Sequence, residues 1–415
     1  MPSARTHEVI ALKINKEYHM DEILLRLGTV SPDSWRNVES ENGIKDKYLS
    51  HFWNFRIKDK HKQSNDYTEF YLKYYHHLDN PFYFGYLLHL ITDQYWKSVI
   101  DPKFFFTEDG VNKCKLKDGT TIEDKDWFSY KETVKIQKRL AKEYHLGLLP
   151  TKKEDISNFE CNIDELNLSG LFGPNGTVNY INTKLMPSQT DEESQIYNYD
   201  DVEKYIDETV KFIKLELNKL KQIKEEDEKK IKIAVDIDDT LLCTKELEEY
   251  YWRLFLKDNP DINPNQEYKW GNPVLAKFWS EYREKMAFGA LKKGASNVLN
   301  TLLSKGYRVD LLSARPLEKY ASLKKKLVEY FESVNINYNY LNLGFYSKKD
   351  FLKTHHYDIL IDNDMKYIEE AKSVGVTPIL YGNNPSYTGY QTENWEEIPS
   401  MIQEIITNKT ESKNL

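Results

Sequence analysis

Residues 233–242 read IAVDIDDTLL. Ile233, Ala234 and Val235 have the character of a buried strand, yet the chain then sets Asp236, Asp238, Asp239 and Thr240 directly behind them. Carboxylates beside an apolar core cost free energy unless positive charge stands among them. The segment therefore calls for a metal ion, a phosphate site, or both. It also constrains the fold, because a strand that ends in ligand-binding groups belongs to a sheet whose strand ends face an open crevice.

The rest of the C-terminal half agrees with that constraint. KIKIAVDID, YRVDLLSA, YLNLGF, DILIDN and TPILYG are short continuous apolar runs, as in strands buried on both faces. Helical stretches separate most of them, for example MKYIEEAKSVG with Gly375 as a C-cap candidate. The alternation predicts a doubly wound α/β domain over residues 229–415. Four of its strands end in polar chemistry: Asp236 and Asp238 on the first, Ser313 and Arg315 on the second, Lys348 and Lys349 after the third, and Asp362, Asn363 and Asp364 on the fourth. Read one by one, these are also the residue types that cap helices and make turns. There is no Walker-type phosphate loop and no internal repeat.

The four motifs in this order resemble the haloacid dehalogenase (HAD) superfamily of phosphohydrolases. D-x-D-x-T is met by Asp236, Asp238 and Thr240, the strand-ending hydroxyl by Ser313, the lysine by Lys348 or Lys349, and the last acidic strand end by Asp362. The resemblance implies a Rossmann-like fold and a Mg²⁺ ion held by Asp236, Asp238, Asp362 and Asp364. It implies Asp236 as nucleophile, Asp238 as general acid and base, and Ser313 with Lys348 as phosphoryl-binding groups. Thr240, Arg315 and Lys349 are then expected to bind substrate. Where family members carry two adjacent acids in the fourth motif, this chain has Asn363 in the second place. Residues 243–292, which include KELEEYYWRLFLKDNP and NPVLAKFWSEYREKMAFG, read as a small helical cap. With DDTLL and SARP, the cap points to the 5'(3')-nucleotidase-like branch and to a small phosphorylated substrate, a nucleotide among the candidates.

Residues 1–228 read differently. HEVIALKINKEY, DEILLRLG, NDYTEFYLKYYHHL, PFYFGYLLHLITDQYW and YKETVKIQKRLAKEYHLG place apolar residues at helical spacing, so an all-α domain is expected. Residues 170–195 are rich in turn formers and read as a loop. DDVEKYIDETVKFIKLELNKLKQIKEEDEKK reads as one long helix, with Val202, Tyr205, Ile206, Val210 and Ile213 on one face and a solvated face of mixed charge. Its end, near residue 228, is the expected domain boundary.

Histidine is concentrated in this half: of ten in the chain, six precede residue 80 and His89 is the next. His89 and Asp93 stand i, i+4 on one helical face, a spacing that can chelate a single ion, and a His and Asp set suits Zn²⁺. RTHEVIA, GTVSPDSW, LSHFW and HLITDQYW resemble the zinc-dependent phospholipase C family, relatives of zinc single-strand nucleases. The resemblance implies His7, Asp33, His51, His89 and Asp93 as zinc ligands. It departs after Asp93, where only Glu143 and His145 offer themselves as further ligands, so a smaller metal count is expected. His76 and His77 are read as core histidines, and YTEFYLKYY as core packing.

The net charge of −8 argues against a non-specific nucleic-acid binder. Three cysteines without a C-x-x-C pair fit a reducing compartment. The N-terminal stretch lacks an apolar signal core, and FYFGYLLHLI is too short to cross a bilayer, so a cytoplasmic location is expected. The functional expectation is a two-site phosphohydrolase, the first half cleaving a phosphodiester with zinc and the second removing the monoester with magnesium. The alternatives are one phosphatase with a non-catalytic metal-stabilised module, and a nucleic-acid end-processing phosphatase.

Overall fold

The computed structural model describes residues 2–35, 47–57, 64–125, 128–157, 159–184, 193–263, 272–316 and 321–413. The chain divides into two compact units, Met1–Glu225 and Glu226–Leu415.

The first unit begins with helices α1 (Ala4–Tyr18), α2 (Glu22–Val30), α3 (Lys47–Ser50), α4 (Tyr67–Tyr74) and α5 (Pro81–Tyr95). Caps foreseeable from local sequence start three of them. Ser3 accepts from the Thr6 amide, Asp21 from Leu24, and Asn80 from Phe82, with Pro81 in the first turn of α5. α5 is buried from Phe82 through Asp93, so it carries His89 and Asp93 into the interior. α2 and α5 touch backbone to backbone. A Cβ added at Gly28 would stand 2.1 Å from the Phe82 carbonyl oxygen, and one at Gly85 2.1 Å from that of Leu25. Only glycine permits that approach.

The all-α expectation is corrected by strands β1 (Phe105–Glu108), β2 (Val111–Lys115) and β3 (Thr121–Glu123), which form a three-stranded antiparallel sheet. Its cause is turn chemistry. Asp109 and Gly110 both take positive φ, 54° and 76°, and close a two-residue hairpin that pairs Glu108 with Val111. Helices α6 (Phe128–Glu143), α7 (Leu168–Phe172), α8 (Thr177–Lys184) and α9 (Tyr199–Asp227) follow, the last two residues of α9 belonging to the second unit. α7 and α8 correct the loop expected over 170–195, whose residues 185–192 lie outside the described residues. Asn167 caps α7 through the Gly170 amide, and Leu171, Val178 and Ile181 are buried, so packing overrides turn-rich composition. On α9, Val202, Ile206, Ile213, Leu217 and Leu220 form the buried face. His76 and His77 are exposed, not core: they lean on Tyr75 and Tyr83 at the surface.

The second unit contains β4 (Lys232–Val235), β5 (Leu242–Cys243), α10 (Lys245–Asp258), α11 (Pro273–Met286), β6 (Ala290–Leu291), α12 (Ala295–Ser304), β7 (Arg308–Ser313), α13 (Ala321–Ser333), β8 (Leu341–Leu343), α14 (Lys349–Thr354), β9 (Ile359–Asp362), α15 (Met365–Ser373), β10 (Thr377–Tyr381), β11 (Tyr390–Thr392) and α16 (Ile398–Lys413). Six strands form one parallel sheet in the order β11-β10-β9-β4-β7-β8. β4 is central, with Ile233, Ala234 and Val235 fully buried between β9 and β7. α10 and α11 form an insertion between the paired strands β5 and β6, packed through Phe255, Phe278, Tyr282 and Met286. Residues 264–271 of the expected cap lie outside the described residues. Gly375 follows α15 at φ 79°, its amide on the Lys372 carbonyl.

The two ends of this sheet differ in their electrostatics. At the amino ends, Arg308 pairs with Asp310 at 2.8 Å and with Asp227, and Lys232 meets Asp227 at 3.1 Å. Charge is balanced there by neighbours that are all buried. The carboxyl ends are where acids gather without that internal balance.

Candidate active site and candidate metal centre

At the carboxyl end of β4, Asp236 is fixed by its amide on the Ile361 carbonyl. Lys348, immediately before α14, is fully buried. Its Nζ donates to Asp236 Oδ1 and to Asp362 Oδ2, each at 2.6 Å, and sits 4.3 Å from the centre of the Tyr367 ring. Glu370 holds its backbone by accepting from the Lys348 and Lys349 amides. The Lys349 side chain is exposed, so of the two candidate lysines the fold brings Lys348 to the acids.

Burial pushes Asp236 above the ordinary carboxylate range; Lys348 opposes this, while Asp362 and Asp238 add to it. Burial likewise raises Asp362 against the pull of Lys348. Lys348 is desolvated too, but its two carboxylates keep it firmly charged. One ammonium shared by two buried acids leaves negative charge in excess, which a further cation would relieve. The oxygens of Asp236 and Asp362 are the hard donors that suit Mg²⁺.

Other expected residues take different places. The Asp238 carboxylate, expected among the metal ligands, is paired with a guanidinium and adds to the upward push on Asp236. Both of its oxygens are held by Arg315, Nε to Oδ2 at 2.9 Å and Nη2 to Oδ1 at 2.8 Å. Burial works to raise Asp238, but this bidentate pair outweighs it and holds the group below its ordinary range. Arg315, expected on substrate, is buried, and its third nitrogen donates to the Ala287 carbonyl at 2.9 Å. Thr240, also expected on substrate, is fully buried; its Oγ1 meets Asn363 Oδ1 at 3.1 Å and its carbonyl accepts from Trp395. Asp364 caps α15 by accepting from the Lys366 amide at 2.8 Å, which is the geometry of a helix start. Ser313 ends β7, buried, with the Arg315 amide on its Oγ at 3.1 Å.

The first unit gathers the five expected zinc ligands. Among the described residues, the side chains that group three possible ligand atoms within 4.8 Å are His7, His89 and Asp93, and Asp33, His51 and His89. The backbone decides how the rings stand. His89 Nδ1 lies 2.7 Å from the Thr29 carbonyl, a contact set by the close approach of α2 and α5, and His51 Nδ1 lies 2.8 Å from the Lys47 carbonyl. A carbonyl only accepts, so both Nδ1 atoms carry hydrogen, and in the neutral rings both Nε2 atoms present lone pairs. Those Nε2 atoms are 3.2 Å apart, and Asp93 Oδ2 lies 3.4 Å from one and 3.5 Å from the other. Two lone pairs and a carboxylate facing one another at this range would be relieved by a proton on one Nε2 or by a cation between them.

His7 stacks on His89 at 4.0 Å and reaches the other oxygen of Asp93 at 3.2 Å, while its Nδ1 is buried without a partner among the described residues. Asp33 Oδ1 is 3.8 Å from His51 Nε2 and 2.9 Å from Lys47 Nζ. Burial holds His7 down to about 4 and His51 down to about 3, the latter helped by the Lys47 and His89 charges. Burial opposes the His89 charge, but Asp93 outweighs it and raises the group. His145 and Glu143 are exposed, and Glu143 pairs with Arg139, so neither joins the cluster. Lys47 and Tyr367 were not legible as site residues, since each owes its place to a contact distant in sequence.

No protein-family model matches the chain, and no curated protein matches it. Solved structures that match include a hydrolase of the haloacid dehalogenase-like family from Streptococcus pneumoniae, 15% identical over 42% of this chain and 98% of that one, with a TM-score of 0.33. A HAD-superfamily hydrolase of subfamily IA from Geobacter sulfurreducens is 12% identical over 41% of this chain and 99% of that one, with a TM-score of 0.32. A HAD hydrolase from Bacillus subtilis bound to magnesium is 13% identical over 41% of this chain and 96% of that one, with a TM-score of 0.30. Among the described residues, no helix is long and apolar enough to cross a membrane.

Proposed function

We propose that the second unit is a magnesium-dependent phosphomonoesterase of the haloacid dehalogenase type, working through an aspartyl-phosphate. The observation that carries this reading is the buried Lys348 ammonium 2.6 Å from both Asp236 and Asp362 at adjoining strand ends. Asp236 and Asp362 would hold Mg²⁺, which when bound offsets the repulsion between a carboxylate and an anionic ester. An Asp236 oxygen attacks phosphorus as the ester P–O bond breaks, and Asp238, which Arg315 holds ionised before substrate binds, takes up a proton as the anionic ester arrives and gives it to the leaving oxygen. Water then attacks the phosphorus of the acyl phosphate, Asp238 takes a proton from it, and Asp236 and inorganic phosphate are released. Lys348 stays charged throughout and neutralises the phosphoryl oxygens, with Ser313 beside it. A small phosphate monoester is the substrate class, a nucleotide among them.

The test is a monoester screen with and without magnesium, combined with chemical trapping of phosphoenzyme. Magnesium-dependent phosphate release and label on Asp236 are the expected results. Release that persists undiminished in EDTA, or label that remains in Asp236→Asn, would overturn the reading.

A specific observation favours a second activity. His51 Nε2, His89 Nε2 and Asp93 Oδ2 are mutually 3.2, 3.4 and 3.5 Å apart. Those are the edges of a tetrahedron around one ion with bonds of about 2 Å, the Zn²⁺ geometry. These three residues would hold zinc, which when bound supplies a Lewis acid. Asp33, kept ionised by Lys47, would accept a proton beside it, and His7 would orient Asp93. Phosphodiester cleavage by the first unit follows as a proposal, with a non-catalytic module as the competing one. Zinc-stimulated hydrolysis of bis-p-nitrophenyl phosphate that disappears in Asp33→Asn separates them.

A further inference from the structure

We propose that Arg315 is a positioning residue: it aims Asp238 at the leaving group and ties that aim to the helical insertion. The proposal rests on the reading of Asp238 as the proton donor. Asp238 stands at the mouth of the site with its side chain 43% exposed, whereas that of Arg315 is 5% exposed. A half-buried carboxylate on its own would spread over several rotamers. The guanidinium removes that freedom, because two parallel hydrogen bonds fix the plane of the carboxylate as well as its position.

The same guanidinium reaches the insertion. Its Nη1 donates to the carbonyl of Ala287, the residue that ends α11, and the chain returns from there to β6. Gly289, next to it, is held by the Tyr330 hydroxyl at 2.6 Å, and a Cβ on Gly289 would stand 2.4 Å from the Cys243 carbonyl oxygen. At the other end of the insertion, Asp239, at φ 55°, accepts from the Thr244 and Lys245 amides. The insertion is therefore bonded to the acid segment at both of its ends, directly through Asp239 and through Arg315. A shift at Ala287 moves the guanidinium, and the bidentate pair carries Asp238 with it. Lysine in this place would keep the charge but not the fork, since a single ammonium does not hold both carboxylate oxygens and a carbonyl in one plane.

A leaving-group series tests this. The quantity read is the ratio of kcat/KM for an alkyl phosphate, which needs its leaving oxygen protonated, to kcat/KM for p-nitrophenyl phosphate, which hardly does. A variant that merely folds less leaves the ratio unchanged, because both esters meet the same active fraction. Arg315→Ala is expected to lower the ratio about 100-fold, the scale of a lost general acid. Arg315→Lys should fall between Arg315→Ala and the wild type. Asp238→Asn should lower the ratio as much, and the double variant no further, since both changes remove one function. Amide exchange over residues 288–291 should quicken several-fold in Arg315→Ala. Equal losses on both esters, or losses that multiply in the double variant, would overturn the proposal. Unchanged exchange over 288–291 would overturn the tie to the insertion. An unchanged ratio in Asp238→Asn would strike the proton-donor reading itself, and the proposal with it.

Discussion

Lys348 Nζ and Asp236 Oδ1 lie 2.6 Å apart in a place where neither side chain meets much water, and the lysine comes from the loop after β8 while the acid ends β4. Removing a group that neutralises a transferring phosphoryl costs about 10²–10³ in kcat. Lys348→Ala is expected to lose monoesterase turnover on that scale, while Lys349→Ala, whose side chain is exposed, stays within about threefold of wild type. Steady-state kinetics of both variants check this, and an inactive Lys349→Ala would move the assignment by one residue.

Asp236→Asn keeps the shape of the side chain and removes the nucleophile. Turnover is expected to fall by at least about 10³, with no phosphoenzyme trapped. Circular dichroism should match wild type, since asparagine still accepts from Lys348. Residual activity of a few per cent would remove Asp236 from the nucleophile role.

The metal centre proposed for the first unit should empty in a defined pattern. Purified full-length protein is expected to carry about one zinc per chain, and His51→Ala, His89→Ala and Asp93→Ala to lose it on desalting. The exposed His19→Ala serves as a control that keeps it. Atomic emission after gel filtration reads the result. Zinc retained in His89→Ala would place the ion elsewhere.

Gly85→Ala probes the helix contact that aims His89. The added Cβ meets a backbone carbonyl at 2.1 Å, and backbone cannot rotate away as a side chain can. Overpacking of this kind costs about 1–3 kcal/mol. The expected outcome is a lower melting temperature together with weaker zinc retention, although residue 85 is no ligand. Wild-type zinc affinity in a folded Gly85→Ala protein would show that His89 is oriented without the α2–α5 contact.

The metal-free chain should weaken in mild acid. His7 and His51 titrate at about 4 and about 3 in the folded state, against 6.5 for the unfolded chain. From pH 6.5 down to about 4 the unfolded chain therefore binds protons that the folded one does not, so stability rises with pH there and is lost on acidification. His89 is raised and acts in the opposite sense, its contribution lost as the pH climbs past 6.5. Two groups against one leave a net loss on acidification. Amides of α5 in EDTA-treated protein are expected to exchange about tenfold faster at pH 4.5 than at 6.5, after correction for intrinsic rates, a change of about 1.4 kcal/mol. Equal protection at both values would rule out buried neutral histidines.

Periodicity and local chemistry carry much of this protein on their own. The apolar run before Asp236 is a central strand because Ile233, Ala234 and Val235 have no polar edge to show water, and the caps Ser3, Asp21 and Asn80 start helices through bonds made within three residues. The spacing of His89 and Asp93 likewise follows from the helix repeat alone. The hairpin at Asp109 and Gly110 was equally local, and its turn signal was outweighed by the helical pattern around it. What sequence by itself could not determine is which polar side chain faces which. Arg315 could have met a substrate; it meets Asp238, because β4 and β7 are adjacent and the end of α11 presents a carbonyl beside them. Lys348 rather than Lys349 joins the acids because the start of α14 buries one residue and exposes the next. The orientation of His51 and His89 rests on two backbone carbonyls that sequence order does not reveal. Hydrophobic pattern acts through nearest neighbours along an element and is written in the order of residues. The direction of a charged side chain depends on partners dozens of positions away, and only the assembled tertiary structure selects among them.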